Sequence, residues 1–130
     1  MGTAYLDTSA AMKLIFAEPG SDAMRATLDA DPNRLTVASW LLHTELFCAA
    51  ARRNPHVAPE RLTRLLEKLV LVDVARGDFL SAATHNPLRA NDAIHLAVAL
   101  RVGADEMITY DRELADAARS AGLQVLSPGV

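Results

Sequence analysis

Four acidic residues, Asp7, Glu45, Asp92 and Asp111, fall where ordinary surface charge is a poor explanation. Asp7 ends the apolar run Ala4-Tyr5-Leu6 and precedes Thr8-Ser9, hydroxyl residues able to cap a following helix. Asp111 repeats the arrangement, closing Met107-Ile108-Thr109-Tyr110 ahead of a second helical stretch. Glu45 lies within Trp40 to Ala49, on the helical face of Leu41, Leu42, Cys48 and Ala49, where a carboxylate without a partner is costly to bury. Asp92 opens the run Ala93-Ile94-His95-Leu96-Ala97-Val98-Ala99-Leu100, whose near-continuous hydrophobicity marks a helix buried on most of its circumference. That puts Asp92 in or near the first turn of a buried helix.

In an open α/β sheet, ligands bind in the crevice beyond the carboxyl ends of the strands, where helix N-termini also gather. Three of the four acids are expected to converge there. Two carboxylates about 4 Å apart repel by roughly 4 kcal/mol at an effective dielectric near 20, so such a cluster must protonate, pair with bases or bind a cation. A hard divalent ion with oxygen ligands fits best, Mg²⁺ above all. The hydroxyls of Ser9 and Thr109 stand beside Asp7 and Asp111, where they could orient a carboxylate or a water on the metal. Ordinary readings exist for each residue. Asp7 and Asp111 could be simple N-caps, Glu45 an exposed neighbour of its stripe, Asn91 or Asp92 a cap, and Ser9 and Thr109 cap or strand-edge residues. One shared cause accounts for the four acids together more economically.

The elements that must position these residues alternate along the chain. Strands are expected at Ala4 to Leu6, Leu35 to Ser39, Leu69 to Val74, Met107 to Tyr110 and Leu123 to Leu126. Helices are expected near Ala10 to Ala17, Asp22 to Ala30, Leu41 to Arg53, Pro59 to Lys68, Gly77 to Asn86, Asn91 to Val102 and Arg112 to Ala121. Pro19-Gly20, Asp31-Pro32-Asn33 and Asn54-Pro55 punctuate them, and Gly103 and Gly122 stand where helix C-caps belong. The alternation predicts an α/β fold: a single domain over residues 1–130, with a small central parallel sheet of four to five strands and helices on both faces.

With 51% hydrophobic but only 5% aromatic residues, the core must be built from Ala, Leu and Val. No apolar run approaches the length of a membrane span and the N-terminus enters a strand almost at once, so a soluble cytoplasmic protein is expected. The net charge of −3 argues against nucleic-acid binding by bulk electrostatics. Locally, Arg52, Arg53, Arg61, Arg64 and Lys68 could form a basic rim for a phosphate backbone, or simply a solvated helix face. The single cysteine, Cys48, reads as core filler. His43, His56, His85 and His95 are not spaced as a zinc constellation, and His95 reads as a core or interface residue. A Gly-rich phosphate loop, a G-x-S-x-G nucleophile turn and a dinucleotide fingerprint are all missing from the sequence.

The string Tyr5-Leu6-Asp7-Thr8-Ser9-Ala10, Glu45 in a helix, Asn91-Asp92-Ala93-Ile94-His95-Leu96-Ala97 and Thr109-Tyr110-Asp111 resembles a PIN-domain ribonuclease of the VapC toxin type, over essentially the whole chain. The resemblance implies a PIN-like domain and a Mg²⁺- or Mn²⁺-dependent endoribonuclease. Asp7, Glu45, Asp92 and Asp111 then match the catalytic and metal-binding acids, and Ser9 and Thr109 the accompanying hydroxyls. It further implies an RNA substrate, a cognate VapB-like antitoxin that blocks the site, and a homodimer. Such an enzyme hydrolyses a phosphodiester with a metal-activated water, and no side chain need act as nucleophile. Two other readings compete. A phosphatase could use Asp7 as a covalent nucleophile, although a second acid two residues on is usual there and this chain has Ser9. A catalytically silent module could use the acids only to dock a basic partner segment.

Overall fold

The computed structural model describes residues 2–130. Five strands, β1 (Gly2–Leu6), β2 (Arg34–Ser39), β3 (Val70–Val72), β4 (Glu106–Ile108) and β5 (Gln124–Leu126), form one wholly parallel sheet in the order β3-β2-β1-β4-β5. Seven α-helices connect and cover it: α1 (Thr8–Ile15), α2 (Ser21–Ala30), α3 (Trp40–Arg53), α4 (Pro59–Glu67), α5 (Arg76–Ala82), α6 (Ala90–Arg101) and α7 (Arg112–Ser120). The expected small parallel sheet between two helical layers is therefore present.

Alternation along the central strand explains the layers. Ala4 and Leu6 of β1 pack into one core with Ala10, Leu42, Leu46 and Ile108, whereas Tyr5 between them enters a second core with Val37, Leu96, Val98, Met107 and Leu114. Covered on both faces, β1 must be apolar throughout its buried length.

Several boundaries differ from the sequence expectation. Helix α1 starts at Thr8, not Ala10, because Asp7 itself caps it by accepting from Ala10 N; Thr8 and Ser9 do not. It ends at Ile15. The strands β3 and β4 are shorter than their hydrophobic runs, and Thr109 and Tyr110 fall just beyond β4. The helix expected from Gly77 to Asn86 is α5 followed by a short 3₁₀ turn, Ala83–His85. Gly103 and Gly122 take φ of 71° and 97° beyond α6 and α7, as helix-terminating glycines do. Among the described residues no helix is long and apolar enough to cross a membrane.

Sheet order fixes where the site lies. From β1 the chain builds outward to β2 and β3 on one side, and β4 and β5 add on the other. The β1–β4 pair is thus the point where the order reverses, and a crevice opens beyond its carboxyl end. Asp7 leaves β1 at this point, and Asp111 follows β4 by three residues.

Candidate active site

Asp7 is 3% exposed. Its Oδ1 accepts from Ser9 Oγ (2.8 Å) and Ala10 N (3.0 Å), and its Oδ2 from Thr109 Oγ1 (2.6 Å). Burial pushes its carboxyl above the ordinary range, opposed by these hydrogen bonds from Thr109, Ala10 and Ser9. Thr109 also accepts from Asp111 N (3.0 Å), and Ser9 Oγ from Tyr110 N (2.9 Å), so the two hydroxyls tie the end of β1 to the segment after β4. Asp111 caps α7 by accepting from Leu114 N at 2.9 Å. Both strand-end acids are therefore N-caps, and for each the capping bond uses Oδ1.

Asp92 sits in the first turn of α6 but caps nothing, since the N-cap position is Arg89. Burial first, then the charges of Asp111 and Asp7, raise its carboxyl to about 6; His95 acts in the opposite sense and Glu45 adds to the rise. Glu45 projects from α3 and receives three donors: Thr8 Oγ1 on Oε1 (2.7 Å), His95 Nε2 on the same oxygen, and Asn91 Nδ2 on Oε2 (3.1 Å). Burial acts to raise its carboxyl, yet the bonds from His95, Thr8 and Asn91 hold it below the usual carboxylate range. Glu45 also lies off the stripe expected for it: the buried face of α3 is Leu42, Leu46 and Ala50. It flanks the core at the mouth of the crevice.

Glu45, Arg89, Ala90, Asn91, Asp92 and Asp111 line an open cleft of about 480 Å³. Asp7 does not line it, but its charge acts on Asp92. A carboxylate oxygen has two acceptor positions. Both of the Glu45 Oε1 positions are filled, Oε2 keeps one, and Asp111 Oδ2 and both Asp92 oxygens have no donor among the described residues. The open positions on these three acids are thus all oxygen acceptors, with the Arg89 side chain beside them in the cleft wall. No three His, Cys, Asp or Glu side chains among the described residues stand close enough to form a protein-only metal cage.

The PIN domain family model matches residues 4–120. The chain belongs to the PIN-domain family. This PIN domain is 37% identical over 132 residues to Ribonuclease VapC46 of Mycobacterium tuberculosis, covering 98% of this chain and 99% of the relative. It is 37% identical over 134 residues to Ribonuclease VapC35 of the same species, covering 96% of each. Among solved structures it is similar to M. tuberculosis VapC20, described as a sarcin-ricin loop cleaving toxin, with a TM-score of 0.74, 16% identity and coverage of 96% and 99%. Rickettsia felis VapBC2, bound to a promoter DNA fragment, gives a TM-score of 0.76 at 16% identity, covering 95% of this chain and 97% of that one. Likeness at that identity speaks for the fold.

Three features of this PIN domain were not foreseen. Thr8, read from the sequence only as a possible helix cap, donates to Glu45, and Tyr5, read only as part of an apolar strand, bonds to the His95 that contacts Glu45; a tyrosine inside an apolar strand was the available signal, because a buried phenol needs a partner. Cys48 is exposed, not core filler, since it points away from the Leu42, Leu46 and Ala50 stripe. The basic stretch does not rim the acidic cleft. Arg61, Arg64 and Lys68 line a separate groove with Leu14, Ile15, Arg25 and Leu28, Arg53 pairs with Glu18, and Arg61 donates to the Ile15 carbonyl.

Proposed function

We propose that this chain is a divalent-metal-dependent endoribonuclease of the VapC type, one nuclease domain serving as the toxin of a toxin–antitoxin pair. The observation that carries the reading is the cleft lined by Glu45, Asp92 and Asp111, with the charge of buried Asp7 acting on Asp92, beside the point where the strand order reverses, in a chain 37% identical to a ribonuclease along nearly its full length. The donor set fits Mg²⁺, or Mn²⁺, which takes one or two carboxylates and keeps several waters, so a protein-only cage is not required. When bound, the ion supplies a lowered water pKa and offsets charge on the phosphoryl oxygens.

This chain's own residues do the rest. Asp92 and Asp111 offer their open oxygens to the ion, with Glu45 Oε2 beside them. Ser9, Thr109 and the amide of Ala10 hold Asp7 in one orientation. Arg89, exposed in the cleft wall, has the fork geometry for a phosphate of the RNA chain. A cognate VapB-like antitoxin is proposed to seat a basic side chain among the carboxylates and so compete with the ion. A toxin-antitoxin complex from Klebsiella pneumoniae with a similar fold, at a TM-score of 0.72 and 20% identity, supports such a partner. Homodimerisation is proposed as well, supported by the exposed Phe79 and Leu80 on α5. The cytoplasm is the proposed compartment.

Mapping cleavage ends across total RNA after induced expression, against an Asp7→Asn control, tests the reading. Discrete new ends with the native chain alone are expected; identical maps would refute it. The docking alternative finds support in the missing three-ligand cage. It requires a basic peptide to bind equally with and without Mg²⁺ while RNA stays uncut. The phosphatase alternative is poorly served by an Asp7 that is 3% exposed and whose Ser9 neighbour is spent on holding it.

A further inference from the structure

His95 is 1% exposed and lies in the inner part of α6, away from the cleft lining. It is nonetheless joined to the site. On one side its Nδ1 stands 2.7 Å from the Tyr5 hydroxyl, which in turn lies 3.2 Å from Ser39 Oγ; both residues are fully buried. The Tyr5 and His95 rings meet edge-on at 5.6 Å between centroids. On the other side Nε2 contacts Glu45 Oε1. A carboxylate only accepts, so the proton between the two sits on Nε2 whatever the charge of the ring. Tyr5 and Ser39, from the ends of β1 and β2, therefore fix the ring, and the ring fixes Glu45.

The consequence lies in which Glu45 oxygen is left. Thr8 Oγ1 and His95 Nε2 fill Oε1, while Oε2 has only Asn91 Nδ2 and keeps one acceptor position. We propose that His95 is a positioning residue: the Ser39–Tyr5–His95 chain locks Glu45 Oε1 inward and so presents Oε2 to the cleft, as a ligand for a divalent ion. This rests on the function proposed above. A buried histidine kept only for packing makes a different prediction, because it does not care which of its nitrogens is replaced.

The test exploits that difference in the full-length chain. In His95→Gln the amide nitrogen can occupy the place of Nε2, whereas in His95→Asn the amide reaches only the Nδ1 side. Binding of Mn²⁺ alone, followed by calorimetry or electron paramagnetic resonance, is read beside thermal melting and RNA cleavage. Removing a group that orients a metal ligand typically costs about 10–100-fold in affinity or activity. His95→Asn is expected to weaken Mn²⁺ binding by about tenfold and to lower kcat with little change in KM. His95→Gln is expected to recover most of both at a similar melting temperature. Equal Mn²⁺ affinity in both variants and the native chain, or losses in both that follow melting temperature alone, would overturn the proposal. A native chain that binds Mn²⁺ but cuts no RNA refutes the nuclease reading while the calorimetric comparison still decides the role of His95. A native chain that binds no Mn²⁺ sinks both.

Discussion

Asp92 concentrates the electrostatic tension of the cleft. Its carboxyl is raised to about 6 by burial and by the neighbouring charges of Asp111 and Asp7. A folded value above the unfolded one means that the native state binds more protons between about pH 4 and 6, so stability falls as pH rises through that window and stays lower above it. Asp92→Asn should therefore stabilise the metal-free chain at pH 7.5 by about 1 kcal/mol, after discounting for solvent screening at a half-open site. That corresponds to a melting temperature about 3–5 °C higher, in EDTA, together with loss of RNA cleavage. A lower melting temperature would show that Asp92 is a structural anchor. For the same reason Mn²⁺ should bind more tightly at pH 7 than at pH 5, as calorimetry at the two values would check. The sequence placed Asp7 and Asp111 at strand-to-helix junctions and Asp92 in a helix's first turn, where the structure has them, but it put Glu45 on the buried stripe of α3, which it only flanks. The roles of Tyr5, Thr8 and His95 were not legible, because a hydrogen bond between residues 90 apart in the chain leaves no local spacing to read.

Elements were legible where hydrophobic period and helix-stopping residues agreed, as at α6 and its Gly103, and less so where tertiary contacts set the limit. Strand β4 ends at Ile108 although Thr109-Tyr110 continues the pattern, because side-chain hydroxyls take the place of strand partners there: Ser127 Oγ donates to the Thr109 carbonyl and Ser9 Oγ accepts from the Tyr110 amide. Helix α5 is held by a similar long-range tie. Asp78, 2% exposed, accepts from Ala75 N and from Arg101 Nε, both at 2.8 Å, and Arg101 also donates to the Asp73 carbonyl. Arg101→Ala would leave that carboxylate buried with one donor fewer. Since the Arg101 side chain is 43% exposed, the loss should be about 1–2 kcal/mol, below the range for a fully buried pair. Urea unfolding measures it, and the cleavage rate per folded molecule should not change. A proportionate loss of activity would mean that α5 couples to the cleft.

On the scale of the whole molecule, buried Asp7 and the basic groove stand at opposite ends of one helix. Helix α1 begins at the cap formed by Asp7, and its Ile15 lines the groove about 12 Å along the axis. The composition gave no hint of that separation, because a count of charges contains no direction. With a net charge of −3, the proposed RNA substrate would have to be held by contacts near the cleft and not by a general positive field. Arg64→Ala with Lys68→Ala should thus leave the KM for RNA within about threefold, whereas a tenfold rise would place the groove on the substrate path. The central claim is that the gathered carboxylates serve RNA hydrolysis through a divalent ion. Its most direct test is cleavage of a labelled single-stranded RNA by the purified native chain and by Asp92→Asn, with Mg²⁺ and with EDTA. Cutting by the native chain in Mg²⁺ alone, with none by the variant, is the predicted result; cutting that survives EDTA or the substitution would contradict the account.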